Sequence, residues 1–136
     1  MIIGYTSGVY DLFHIGHLNI LKNAKSMCDK LIVGVTTDEL SQYKGKKAII
    51  PFDERIEIIR SIKYVDSVVP QENMDKVEMC KKIKASLLFV GDDWHNTPKW
   101  NEIEKDLSEI GVKVIYFPYT KGISSTKISE IIYNSL

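Results

Sequence analysis

Short apolar runs rich in Val, Ile and Leu recur along this chain, separated by segments of helical period, and few architectures accommodate that rhythm. The runs are Ile2 to Tyr5, Leu31 to Val35, Ser67 to Val69, Leu87 to Val90 and Val112 to Phe117. Between them, apolar residues repeat at helical spacing around residues 17–27, 53–62, 75–84 and 99–110, and a last helix is expected from about Ser125 to Tyr133. Strands that read as continuous apolar stretches are buried on both faces. The pattern therefore predicts a three-layer α/β/α fold around a five-stranded parallel sheet, in which ligands bind beyond the carboxyl ends of the strands. The 136 residues leave room for one core and no second domain, so residues 1–136 are read as a single domain.

The most chemically pointed stretch lies where the first strand meets the first helix: Ser7-Gly8-Val9-Tyr10-Asp11-Leu12-Phe13-His14-Ile15-Gly16-His17. The helix it enters has Leu18, Leu21, Ala24 and Met27 on one face. A helix start presents free backbone N–H groups and the positive end of a dipole, which together attract anions. Gly16, without a side chain, lets a phosphate come close to the backbone. His14 and His17, three residues apart, can face one point above the first turn. Each can donate a hydrogen bond to a phosphate oxygen, or carry charge if a polyphosphate raises its pKa. A zinc pair is the other use of two such histidines. It lacks a third ligand at metal-binding spacing, because His95, Cys28 and Cys80 are all distant in sequence.

Three other segments follow strands and carry suitable chemistry. Gln42 to Ile49 holds Lys44, Lys46 and Lys47 around Gly45. If this loop is extended, Lys44 and Lys46 point the same way, and Gly45 lets it close over a ligand. A solvated basic loop would have the same composition. Arg55 begins the next helix. Gly91-Asp92-Asp93-Trp94 is good turn chemistry in its own right, but its carboxylates could also accept from ribose hydroxyls and its indole could pack on a flat ring. Tyr119-Thr120-Lys121-Gly122-Ile123-Ser124-Ser125-Thr126 supplies N-capping hydroxyls to the last helix, and such a start is also a second phosphate cradle. Trp100 and His95 are read as packing or surface residues.

Composition removes several function classes. Formal net charge is zero, so no global field draws the chain to nucleic acid or to a membrane surface. No apolar run approaches the roughly 20 residues of a membrane span. The first residues lack the basic flank and cleavage site of a signal peptide, and the two cysteines read as reduced, small apolar residues. A cytoplasmic location is expected. A hydrolase of the G-x-S-x-G type is excluded because that elbow is absent.

Taken together, the blocks resemble the small cytidylyltransferases, above all the glycerol-3-phosphate cytidylyltransferase group of the nucleotidyltransferase superfamily. Residues 8–17 are similar to the G-x-F-D-x-x-H-x-G-H signature, with Tyr10 in place of Phe. The likeness extends through Thr37-Asp38-Glu39, Lys44-Gly45-Lys46-Lys47, Arg55, Tyr64-Val65-Asp66, Gly91-Asp92-Asp93-Trp94 and Gly122 to Lys127. It implies a Rossmann-like fold and transfer of CMP from CTP to a small phosphorylated acceptor, with Mg²⁺ bridging phosphate oxygens. It also implies a homodimer in contact near Tyr64-Val65-Asp66 and a place in surface-polymer biosynthesis. His14, His17, Lys44 and Lys46 would be catalytic. Gly8, Val9, Tyr10, Asp11, Gly16, Arg55, Gly91, Asp92, Asp93, Trp94, Tyr119, Thr120, Gly122, Ile123, Ser124, Ser125 and Thr126 would bind the nucleotide. Asp11 would orient a histidine or its loop, and Lys76 is a candidate for touching the acceptor.

Two departures bear on the acceptor. Tyr119 stands where the resembling group has Arg, and Lys63 replaces the Arg of its R-Y-V-D block. Neither replacement keeps the bidentate fork of a guanidinium. A polyol phosphate, a phosphoamino alcohol or an amidophosphate all remain acceptors in keeping with these residues. An ATP-dependent adenylyltransferase and a non-catalytic nucleotide sensor are the rival readings.

Overall fold

A computed structural model describes residues 1–45, 47–91 and 95–118. Five strands, β1 (Ile3–Gly8), β2 (Lys30–Thr36), β3 (Ser67–Gln71), β4 (Leu87–Gly91) and β5 (Lys113–Phe117), form one sheet in the order β3-β2-β1-β4-β5. Every neighbouring pair is parallel. The helices are α1 (Ile15–Ser26), α2 (Asp38–Tyr43), α3 (Phe52–Arg60), α4 (Lys76–Ile83) and α5 (Pro98–Glu109). The fold is the Rossmann-like arrangement the alternation predicts.

Two apolar clusters give the layers. Leu21 and Ala24 of α1 and Ile59 of α3 pack with Leu31, Val33 and Val35 on one side of the sheet. Cys80 of α4 and Trp100 and Leu107 of α5 pack with Tyr5, Ile32, Leu88 and Val114 on the other. Gly34 makes this second face possible, because a Cβ there would lie 2.1 Å from the Tyr5 hydroxyl. Tyr5 thus lies across β2 and carries its hydroxyl toward Ser7, while burial pushes its pKa up to about 12.

The helix starts follow from capping chemistry. Thr37, Asp75 and Thr97 each accept from a backbone N–H in the first turn of α2, α4 and α5. The predicted strands and four of the helices fall where expected, with strand ends displaced by up to three residues. Helix α2 was not foreseen, and it revises the extended loop expected from Gln42: residues 42 and 43 are helical, and Lys44 is the C-cap. Gly45 then leaves the helix with φ +81, a conformation in which glycine has no Cβ penalty. The helix expected from Ser125 lies outside the described residues. Among those described, no helix is long and apolar enough to cross a membrane.

Candidate active site

The sheet opens where its strand order reverses. β1 and β4 pair only at Gly4 with Leu87 and Tyr5 with Leu88. Beyond that point the Thr6 hydroxyl donates to the Phe89 carbonyl at 3.0 Å, and the two strand ends diverge. A cavity of about 290 Å³ lies over this gap. Such a switch point, at the carboxyl ends of parallel strands, is where an open α/β sheet binds ligands. Its walls include Ser7, Gly8, Val9 and Tyr10 from β1 and the following loop, His17 from the first turn of α1, Gly91 from β4, Lys44 from the end of α2, and Gln71, Lys76, Lys99 and Trp100.

The histidines form a capping box of an unusual kind. His14 is the N-cap of α1, and its Nδ1 accepts the Gly16 N–H at 3.1 Å. His17 Nδ1 accepts the His14 N–H at 3.3 Å. The rings stack with centroids 3.9 Å apart and planes inclined by 22°. A nitrogen that accepts cannot hold the ring proton, so this capping geometry suits imidazoles whose hydrogen is on Nε2. Charging either ring, as a bound polyphosphate could do, would require a proton on Nδ1 that displaces a backbone donor at the helix start. Burial also holds the His14 pKa below its ordinary value. The two side chains enter the site as aligned neutral donors. His17 faces the cavity, while His14 stands behind it with Nε2 buried and without a partner among the described residues. Tyr10 and Phe13 flank the His17 ring at 5.3 and 5.4 Å.

A pH effect on stability follows. His14 binds its proton less readily folded than unfolded, so the unfolded chain is protonated first as pH falls. Stability should decrease as pH drops below the ordinary imidazole value of 6.5. Asp38 and Asp66 are held below the ordinary carboxylate value of 3.8, Asp38 chiefly by its bond from Arg55 and Asp66 by that from Lys25. Their losses come only at more acid pH. Urea midpoints measured between pH 7.5 and about 5 should therefore decline in the wild type. They should decline less in His14→Gln, whose amide can still cap.

Arg55 and Asp11 do not reach the cavity. Arg55 is 0% exposed, which overturns the expectation that it contacts phosphate. Its Nε donates to the Ile50 carbonyl at 2.8 Å, and Nη1 donates to the Val9 and Thr36 carbonyls at 2.7 and 2.8 Å. Nη2 donates to Asp38 at 2.7 Å. The guanidinium is spent inside the protein, where it ties the histidine loop, the end of β2, α2 and the segment after the lysine loop together. Asp11, also buried, accepts the Ile49 and Ile50 N–H groups at 2.9 and 3.0 Å. It holds the loop, as does the buried Gly16 through its bond to His14. Tyr10 and Leu12 adopt φ +55 and +51, left-handed conformations unusual for side chains of this size, and these ties hold the loop in that shape.

Lys76 is the cation that sequence reasoning underweighted. It starts α4, and its Nζ donates to Ser7 Oγ at 3.0 Å and lies 5.9 Å from the Trp100 ring centroid. Burial, and next the Lys44 charge, pull its pKa down to about 8. An anion arriving beside it would restore the full charge. Gln71, Lys99 and Trp100 were missed as lining residues. Gln71 simply ends a strand in the sequence, and Trp100 reads as core, which it also is. Lys47 lies away from the cavity, in a separate hollow with Asp38 and Pro51. His95 is exposed and packs on the Tyr116 ring. Lys46, Asp92, Asp93, Trp94, Tyr119, Thr120, Gly122, Ile123, Ser124, Ser125 and Thr126 lie outside the described residues. Among the described residues no group of three or more His, Cys, Asp or Glu side chains could hold a metal ion.

Comparison with known proteins agrees with this architecture. The cytidylyltransferase-like family profile matches residues 5–131. Glycerol-3-phosphate cytidylyltransferase of Staphylococcus aureus is 38% identical over 129 residues, covering 94% of this chain and 92% of its own. FAD synthase of Pyrococcus abyssi is also 38% identical over 129 residues, covering 92% and 86%. The crystal structure of a lipopolysaccharide core biosynthesis protein from Thermoplasma volcanium superposes with a TM-score of 0.75 at 26% identity, covering 90% of this chain and 99% of that one. The switch-point cavity, the histidine-capped helix and a match across nearly the whole chain place this protein in the cytidylyltransferase-like family.

Proposed function

We propose that this nucleotidyltransferase moves CMP from CTP to a small phosphorylated acceptor of the glycerol-3-phosphate kind, releasing pyrophosphate. The observation that carries the reading is the placing of His17, with His14 stacked behind it, and of Lys44 and Lys76 around one switch-point cavity. Support for CTP comes from the family and from the glycerol-3-phosphate cytidylyltransferase relatives.

A phosphate monoester has a second pKa near about 6, so at neutral pH the acceptor is already a nucleophile and needs no general base. One of its oxygens bonds to the α-phosphorus of CTP. The bond from that phosphorus to the bridging oxygen breaks, and its electron pair leaves with pyrophosphate. The obstacle is repulsion between two anions, so the protein's task is to neutralise charge and hold the partners in line. His17, with His14 aligned behind it, donates from Nε2 to oxygens of the triphosphate as the phosphorus becomes five-coordinate. Lys44 and Lys76 hold the acceptor phosphate. Lys46, the Gly91-Asp92-Asp93-Trp94 block and the Thr120 to Thr126 segment take the nucleotide roles that the family resemblance implies. Mg²⁺ would accompany the nucleotide, ligated by phosphate oxygens and water, and would supply further neutralisation. The same reading puts the enzyme in the cytoplasm as a homodimer serving surface-polymer synthesis.

The test is a panel of phosphorylated acceptors incubated with Mg²⁺ and either CTP or ATP, with products identified by mass. A CDP-linked product formed with CTP and not ATP is expected. Adenylyl transfer at a comparable or greater rate would instead favour a reaction like that of the FAD synthase relatives.

A further inference from the structure

A second hollow, of about 320 Å³, runs between edge strand β3 and helix α4, and it shares Gln71 and Lys76 with the cavity at the switch point. We propose that this groove holds the body of the acceptor, and that the acceptor is a polyol phosphate with more than three carbons. The inference rests on the transferase reading and adds the identity of the group that reading leaves open.

Lys76 marks where the acceptor phosphate sits, because its Nζ is fixed 3.0 Å from Ser7 Oγ at the floor of the shared wall. The nucleotide lies on the β1 and β4 side of that point. The rest of the acceptor must extend the other way, along Gln71 and into the groove. At about 30 Å³ per water molecule, a hollow of this size holds roughly ten waters, far more than a three-carbon body displaces.

The lining suits hydroxyl groups. Gln71 is only 5% exposed, and its side chain makes one hydrogen bond among the described residues, from Thr36 Oγ1 at 2.6 Å. The other half of its amide lines the hollows with no partner among the described residues. That amide N–H is open to solvent and can donate to a ligand hydroxyl in place of water. Val69 and Met79 give the groove an apolar wall for the carbon chain. A second anion is disfavoured: apart from Lys76, the ionised residues along the groove are Glu72, Asp75, Glu78 and Lys82. The three carboxylates are exposed at the rim, where solvent screening weakens both their repulsion of an anion and their hold on an ammonium group, so neither charge gains much from the groove. A neutral polyhydroxyl chain is the body these surroundings recognise.

The experiment compares kcat/KM with CTP and Mg²⁺ for glycerol-3-phosphate, four- and five-carbon polyol phosphates, phosphoethanolamine and 3-phosphoglycerate. The longer polyol phosphates should exceed glycerol-3-phosphate by about tenfold, the scale of one or two extra matched groups. Gln71→Leu and the groove-filling Val69→Phe should each erase that preference, and in Val69→Phe, which lines the groove and not the switch-point cavity, an unchanged KM for CTP reports an intact fold. Equal kcat/KM across the polyols, or a preference for phosphoethanolamine or phosphoglycerate, would overturn the proposal and leave CMP transfer standing. If no acceptor yields a CDP-linked product, the transferase reading falls, and this inference with it.

Discussion

His17→Ala is expected to lower kcat by about 10²-fold or more at saturating CTP, the usual scale for losing one donor to a developing transition state. His17 lines the cavity with its Nδ1 already occupied by the His14 N–H, so its Nε2 hydrogen is oriented before substrate arrives. Little reorganisation remains to be done at the moment of reaction. The His17 to Gln variant provides a discriminating control, since an amide can donate while remaining neutral. If neutral donation is the role, Gln should recover part of the lost rate, and the acid limb of the pH–rate profile should shift in the variant. Near-normal turnover in His17→Ala would remove the histidine pair from the mechanism.

Arg55→Ala should cost about 3 kcal/mol of stability, at the lower end of what breaking a buried ion pair costs. The low end is chosen because the Asp38 side chain is 45% exposed and regains water when the guanidinium is lost. The carbonyls of Val9, Thr36 and Ile50 would still lose their donors in a buried setting. For a chain of this size the melting temperature should fall by roughly 10 °C, measurable by calorimetry or circular dichroism. Arg55→Lys is expected to recover only a fraction, because one ammonium cannot span four acceptors on four segments. A ligand-binding arginine would behave otherwise: its removal would raise KM for CTP and leave the unliganded protein as stable as before.

The two residues also show how far the sequence could be read. The H-x-G-H stretch stated its place at a strand-to-helix junction, and alternating apolar runs placed that junction at a sheet's carboxyl edge. The charge on the imidazoles could not be read that way. It depends on which ring nitrogen meets a backbone N–H. Arg55 was misjudged for a related reason. A positive residue at a helix start looks like a phosphate ligand until β2, α2 and the histidine loop are seen to converge on it. Helix α2 went unnoticed because six residues carry too little periodicity to separate a short helix from a polar loop. Lys76 was nameable as a candidate, but its contact with Ser7 spans 69 positions of the chain.

By itself the sequence determined the order of the strands and the longer helices, the parallel sheet, and the position of the histidine stretch at the first junction, since these follow from local periodicity and from contiguous motifs. Only the tertiary structure decided which cations face the cavity, which are buried as ties, and that a second hollow joins the first at Gln71 and Lys76. Those outcomes depend on where separate segments meet and on which donors are already satisfied there, and neither is written in the spacing of any one segment.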